Sequence, residues 1–467
     1  MSRIAQSRPA PLVGALILLA GTCIPVGTTS AATRAVGNCN DSGVGSLRAV
    51  VAAAASGDVI DLRSLTCSRI LLTTGSIAVP QANLTILGRT RYGLTIDGNR
   101  ADRVFLHTGT GTLRISHVSV ANGQRVVIPD VSGSEYGGCI YSDGNVALHQ
   151  AWVRSCRALQ EGFLDSPLTF GGGISAEGGV TLTWSAVFDN QALENGTGGG
   201  IYAKGRVTLY HSQVYQNVAY VGGGITAERG ASVTYSRIYR NRAAVGAAGL
   251  YVSSNEVPSD LLINKSTLSN NVLEDRWRGT VGNRGGGFGV GGRYTGGRHT
   301  IVDSTISNNR AHSNSAGYSV GTLDIYNSTI VYNSEIREIE QDLPDTPCED
   351  RGALRADVLH MESTILGRSS CVVGPFGYDI DADTGSVIGA NNLIERPLVP
   401  VPADTLAVDP RLASLADNGG YSATHKPLAD SLVLQRGSNL LNRAYDQRGP
   451  GFPRVKGGAP DIGSVER

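Results

Sequence analysis

The chain has 467 residues, 41% of them hydrophobic, which excludes a disordered polymer, and 61 glycines with only 6% aromatics argue against a helical or doubly wound enzyme. Lysine plus arginine and aspartate plus glutamate each number 40, so no global field draws the chain to nucleic acid, an acidic membrane or a strongly charged polymer. Any charged partner must be met by a local patch.

Residues 1–32 read as an export signal: Arg3 and Arg8 precede an apolar run at 12–20 too short to span a bilayer, and small residues follow at "TTSAAT". Thr22 stands where a lipoprotein signal needs Gly or Ala before Cys23, so a free, non-lipidated mature chain starting near Thr33 is expected. Removing Cys23 leaves six cysteines in an exported chain, whose grouping suggests local disulfides of Cys39 with Cys67, Cys139 with Cys156, and Cys348 with Cys371. Sequence alone does not fix that connectivity. Residues 33–75 are expected to form an N-terminal cap in which Leu47, Val50, Val51 and Ala54, at helical spacing after Ser46, make a short helix.

From residue 76 to 395 the chain repeats itself. One anchor is a Gly-Gly-Gly-apolar entry, with Cys139 in its third place before Ile140, then before Ile174, Ile201 and Ile225, and more loosely before Leu250 and Phe288. The other is Ser-x-apolar-x-x-Asn, ending at Asn190, Asn217, Asn241, Asn271, Asn309 and Asn333, and returning without its asparagine at Ser363. A unit of about two dozen residues with short alternating apolar stretches is the pattern of a parallel β-helix, whereas helical repeats need long runs of period 3.6. In such a solenoid each position forms a column with a rise of about 4.8 Å per coil. Val187, Val214, Ile238, Leu268, Ile306 and Ile330 are then the inward core column, with the serines two residues earlier also facing inward. The asparagines are expected to stack at a left-handed turn, and the glycines to make the remaining corner with positive φ.

"VFDN", "VYQN", "IYRN" and "IVYN", paired with the glycine entries, resemble the middle domains of bacterial polymorphic outer-membrane proteins and, more broadly, secreted right-handed β-helix repeat proteins. "NCNDSGVGSLRAVV" resembles a CSLREA-type entry segment, with Gly45 in place of that motif's cysteine. "DPRLASLADNGGYSATHKPLADSLVL", with "YDQRGPGF" and "PDIGSVER", resembles a choice-of-anchor closing segment, assigned to residues 396–467. The resemblance implies an all-β, single-stranded, right-handed parallel β-helix of the pectate-lyase-like kind, secreted or held in the periplasm or at the cell surface. It is compatible with lyases, hydrolases, adhesins and passive stalks alike.

Function must come from individual columns and insertions. Asp143, Glu177, Lys204 and Glu228 align on successive coils, and Asp143 with Glu177, about 5 Å apart, would match a retaining glycosidase pair; the competing reading is a solvated turn ladder. The outward column Tyr141, Ser175, Tyr202, Thr226, Tyr251 sets tyrosines two coils, or about 10 Å, apart, near the spacing of sugars along a glycan. The insertion at 274–299 brings Trp277, Arg278, Arg293 and Tyr294, suited to stacking on sugars and pairing with uronates. Asp379, Asp381 and Asp383 alternate in "YDIDADTG", so a strand would present all three on one face and a loop could wrap calcium. No other cofactor is expected. The reading is a monomeric exported surface that binds extracellular polysaccharide or another cell-surface component, with no nucleic-acid partner and no membrane span in the mature chain. The alternative is a polysaccharide lyase or glycoside hydrolase.

Overall fold

The computed structural model describes residues 31–127, 136–160, 169–274, 284–336, 352–371 and 377–467. The expected export signal therefore lies almost wholly outside the described residues. Among the described residues the strands form three parallel sheets of 22, 12 and 8 strands, and the chain visits all three in the eight coils that carry a third-sheet strand. One coil runs through Ile174–Ala176 and Val180–Thr183 in the first sheet, Ala186–Phe188 in the second and Gln191–Thr197 in the third. The next coil repeats it in strict register, Ile174 beside Ile201, Val180 beside Val207, Val187 beside Val214. This is a parallel β-helix, and the 12-stranded sheet contributes one strand per coil.

The inward column is as expected: Val187, Val214, Ile238, Leu268, Ile306 and Ile330 are fully buried. Each such side chain contributes roughly 1.5–3 kcal/mol by leaving water. At the amino end the helix Leu47–Ala52 closes the first coil, with the Ser46 hydroxyl accepting from the Ala49 N–H and Leu47 and Val51 buried beneath it.

The corners carry the repeat's fixed letters. Each ladder asparagine donates from Nδ2 to the Oδ1 of the next at 3.0 Å, from Asn190 to Asn217, Asn241, Asn271, Asn309 and Asn333. The left-handed residue is not the ladder asparagine but the one before it: Asp189, Gln216, Arg240, Asn270, Asn308 and Tyr332 have φ between 55 and 58°. The reason is geometric, since the left-handed residue throws its side chain out of the corner while the following one turns its amide into the buried stack. The serines make a second ladder, in which the N–H of Ser185 is bonded by Ser212 Oγ, that of Ser212 by Ser236, and onward to Ser328. They satisfy backbone donors that a bend would otherwise orphan.

At the glycine corner only the first glycine needs positive φ, as Gly198 does at 72°. The third is excluded from having a side chain by the asparagine ladder itself: a Cβ on Gly200 would lie 2.9 Å from the Asn217 Cγ and 2.7 Å from the Gly224 carbonyl oxygen. The two anchors of the repeat are thus one packed unit. In the coil before Ile174 the same two places hold Cys139 and Cys156, joined as a disulfide, with the Cys156 N–H still bonded to Asn190. Cys39 and Cys67 are also joined, and Cys371 is disulfide-bonded; its expected partner Cys348 lies outside the described residues.

Residues 396–467 fold back along the second sheet over the later coils. His425 Nε2 meets Ser307 Oγ at 2.7 Å, the Thr267 hydroxyl donates to the Ala423 carbonyl at 2.6 Å, and Val433 and Ile462 pack on Val331, Ile365 and Leu393. The earlier coils of that sheet are left with their own aromatic ladder, Phe188, Tyr215 and Tyr239, stacked face to face at 4.8 Å.

Candidate functional site

The chain is lengthened repeatedly at one corner. Residues 128–135, 161–168, 275–283 and 337–351 all fall between a third-sheet strand and the next entry strand of the first sheet. In solenoids, insertions on one face mark the face most often used for binding. The entry strands Ile140–Ser142, Ile174–Ala176, Ile201–Ala203 and Ile225–Ala227 border that corner, so their outward residues are the first place to look.

Tyr141, Ser175, Tyr202, Thr226 and Tyr251 do form one column, continued by Gly289 and Tyr318. It is not an open stripe of rings. Tyr202 is only 4% exposed, and Ser175 and Thr226 are buried. Each small residue gives its tyrosine neighbour room to lie across the coil: a Cβ on Gly289 would come 2.6 Å from the Tyr318 ring. Phe170 covers Tyr202 at 4.6 Å between ring centres, and Tyr136 bridges Phe170 and Tyr141. The column therefore presents phenol tips and ring edges rather than faces.

The charged column stacks directly after it. Tyr141 donates to Asp143 at 2.7 Å, Tyr202 donates to Glu228, and Lys204 forms an ion pair with Glu177. Burial, then the bonded carboxylate, holds the Tyr141 and Tyr202 phenols far above their ordinary range, so both stay hydrogen donors. Asp143 and Glu177 are thus each tied to a different partner. Arg103, 6% exposed, closes one end of the strip with its guanidinium 5.7 Å from the Tyr141 ring centre, and burial lowers it to about 10. His107 below it is a structural group: with Nε2 donating to the Gln81 carbonyl at 3.0 Å, Nδ1 accepts from Ser142 at 2.7 Å, and burial keeps the ring neutral. Sequence reasoning missed Tyr136, Phe170 and Arg103, which lie outside the repeating phrase.

The aspartates of "YDIDADTG" separate. Asp379 is buried and accepts from the Arg396 N–H at 2.6 Å, Asp381 accepts from Asn314 Nδ2 at 2.7 Å, and exposed Asp383 pairs with Arg355 at 3.2 Å. The strand Tyr378–Ile380 ends before the alternation can carry through, so the three do not share a face. Among the described residues no group of three or more His, Cys, Asp or Glu could hold a metal ion.

Asp379 lines a cavity of about 290 Å³ with Tyr332, Ser334, Arg368, Glu395 and Arg396. Burial pushes its carboxyl up from 3.8 to about 7, opposed by hydrogen bonds from Ser369 and Arg396 and aided by the charge of Glu395. A raised acid binds its proton more tightly in the folded state, so its stabilisation is complete below pH 3.8 and lost as pH climbs to about 7. The stability of Asp379→Asn relative to the native chain should therefore rise across that window by on the order of 4 kcal/mol, read as the difference between the two chains' denaturation curves at each pH. Glu466, raised by burial to about 7, and five histidines lowered by burial, which act with the opposite sign, are common to both chains and drop out of that difference.

No protein-family model matches the chain, and no curated protein matches it. Among solved structures, a crystal structure of pectate lyase Pel9A aligns over 94% of this chain and 98% of its own, at 16% identity and a TM-score of 0.47.

Of the remaining sequence candidates, Trp277 and Arg278 lie outside the described residues. Arg293 is exposed, and Tyr294 is 45% exposed with its N–H bonded to the Ser254 carbonyl. Among the described residues no helix is long and apolar enough to cross a membrane.

Proposed function

We propose that this protein is an exported β-helix whose strip from Tyr141 to Glu228 binds a neutral polysaccharide at or near a cell surface. The observation that carries the reading is that strip: phenol donors, carboxylate acceptors and one ammonium aligned over four coils beside the corner where insertions gather. Carboxylates and phenols at coil spacing suit the hydroxyls of successive sugars. Asp143, Glu177 and Glu228 outnumber Lys204 and Arg103, an excess that disfavours a polyuronate and favours an uncharged chain. The disulfides fit an oxidising, extracytoplasmic setting.

Affinity electrophoresis through gels containing neutral or uronic-acid polysaccharides tests this. Retardation by a neutral polymer is expected, weakened about tenfold or more, ~1.4 kcal/mol, in a Tyr141→Ala/Glu228→Gln variant. Unchanged retardation in that variant, or a preference for polyuronate there, would overturn the assignment.

The second reading, a glycoside hydrolase, is favoured by Asp379, a buried acid raised toward neutrality beside Glu395 in a cavity. New reducing ends that disappear in Asp379→Asn and Glu395→Gln would establish it. Their absence from every polysaccharide retarded in the gels leaves binding as the activity.

A further inference from the structure

The stacked ladder on the second sheet stops at a definite place. Phe188, Tyr215 and Tyr239 occupy one register column, and the next position in that column is Ser269. One coil further on the column holds Ser307, already capped by His425 of the closing segment. Over the roughly 10 Å from the Tyr239 coil to the Ser307 coil the column therefore carries no ring, only the small, buried Ser269. A cavity of about 410 Å³ lies at that level, walled on one side by Tyr239 and Ser269 and on the other by Leu415 and Tyr421 of the closing segment.

Two cations border the cavity. The Arg237 guanidinium stands 4.9 Å from the Tyr239 ring centre, and Arg240 projects from the left-handed corner beside it. Among the described residues neither makes an ion pair, whereas Arg34, Arg48, Arg63, Arg411, Arg448 and Arg454 all do. Asp417 also lines the cavity, with Oδ1 accepting from the Gly419 N–H at 3.0 Å. One carboxylate against two guanidiniums leaves the site one positive charge in excess. Ser269, Asn270 and Ser422 add hydrogen-bonding groups.

We infer that this cavity is a second glycan site, separate from the strip on the first sheet, which takes a single acidic sugar residue of the hexuronate class. The sugar ring fills the level of the missing rung beside Ser269, and its carboxylate pairs with Arg237 and Arg240 in the forked geometry that guanidinium groups favour. Its hydroxyls meet Ser422 and Asn270, and its apolar face meets Leu415 and Tyr421. A protein with a carboxylate-rich strip on one sheet and a cationic slot on another would recognise a heteropolymer that carries both neutral and acidic sugars.

Ser269→Tyr is the discriminating variant, because it supplies the missing rung from the protein itself and closes the slot with the ladder intact. Calorimetric titration of the full chain carrying Tyr141→Ala and Glu228→Gln, so that the strip is disabled, should show tetraglucuronate binding, with cellotetraose and inorganic sulfate giving no heat under the same conditions. Ser269→Tyr should abolish that binding while keeping or raising the melting temperature. Arg237→Gln with Arg240→Gln should weaken it at least tenfold, and Glu177→Gln on the strip should leave it unchanged. Equal binding of sulfate would reduce the site to a simple anion contact and overturn the sugar assignment. Unchanged tetraglucuronate affinity in Ser269→Tyr, or no binding by the strip-disabled chain, would overturn the site altogether. Either failure leaves the neutral-glycan reading of the strip standing.

Discussion

Replacing Asp303 by alanine is expected to lower stability by about 3–5 kcal/mol, because it strands buried cations. Asp303 is fully buried and accepts from Lys265 Nζ at 2.9 Å, Arg443 Nε at 2.8 Å and Arg454 Nη2 at 2.7 Å. Lys265 belongs to the solenoid, whereas both arginines belong to the closing segment, so one carboxylate fastens the two together. The three cations offset its burial and hold Asp303 below the usual carboxylate range, while burial lowers Lys265. Among the described residues, Arg454, with no exposed surface, would keep only Glu466 as an ionic partner. Urea denaturation should show the loss, and limited proteolysis should release the closing segment before the coils. Asp303→Asn separates charge from backbone, since asparagine tolerates the left-handed φ of 45° at this position. It should lose nearly as much stability as alanine if charge is what matters.

Asn241→Val should cost about 3–5 kcal/mol, and in the middle of the solenoid rather than at its edge. The Asn241 amide makes four buried hydrogen bonds. Its Oδ1 accepts from Asn217 N at 3.1 Å and Nδ2 at 3.0 Å, and its Nδ2 donates to the Val214 carbonyl and to Asn271 Oδ1 at 3.0 Å each. Valine fills a similar volume but leaves those partners unsatisfied away from water, at about 1–3 kcal/mol for each that finds no substitute. Coils contact only their neighbours, so amide exchange should accelerate most in the coils carrying Asn217 and Asn271 and little near the N-terminal helix. A uniform acceleration along the chain would show that the ladder acts through global stability instead.

The ladders also show why some of this was legible in the sequence. A column in a solenoid is a position in the repeat, so Val187 and Val214, or Asn190 and Asn217, could be placed beside each other by alignment alone. Backbone conformation within the corner was not legible, because the repeat shows which letter is fixed and not which residue takes positive φ. The fixed asparagine drew attention, yet Asp189, Gln216, Arg240 and Tyr332, which share no chemistry, are the left-handed residues. Cys139 was readable as a glycine replacement, but its bond to Cys156 makes physical sense only once the Gly200–Asn217 contact is seen in the next coils.

The candidate strip was half legible. The columns of Tyr141 and of Asp143 followed from the alignment, but period-two reasoning treats alternate residues as outward and takes outward as exposed. Phe170 and Tyr136, brought in by the corner insertions, turn Tyr202 into a buried hydrogen donor. Asp379, Asp381 and Asp383 have separate partners for a related reason, since the strand there is three residues long and its pleat does not reach Asp383. The slot beside Ser269 had no sequence signal, because it depends on where residues 415–423 land.

Hydroxyl-radical footprinting of the chain with and without a saturating neutral polysaccharide tests the central claim most directly. The strip predicts protection concentrated at Tyr136, Tyr141 and Phe170, with Tyr239 and Tyr421 unchanged. Protection confined to the second sheet or the closing segment, in a chain that the polymer demonstrably retards, would contradict it.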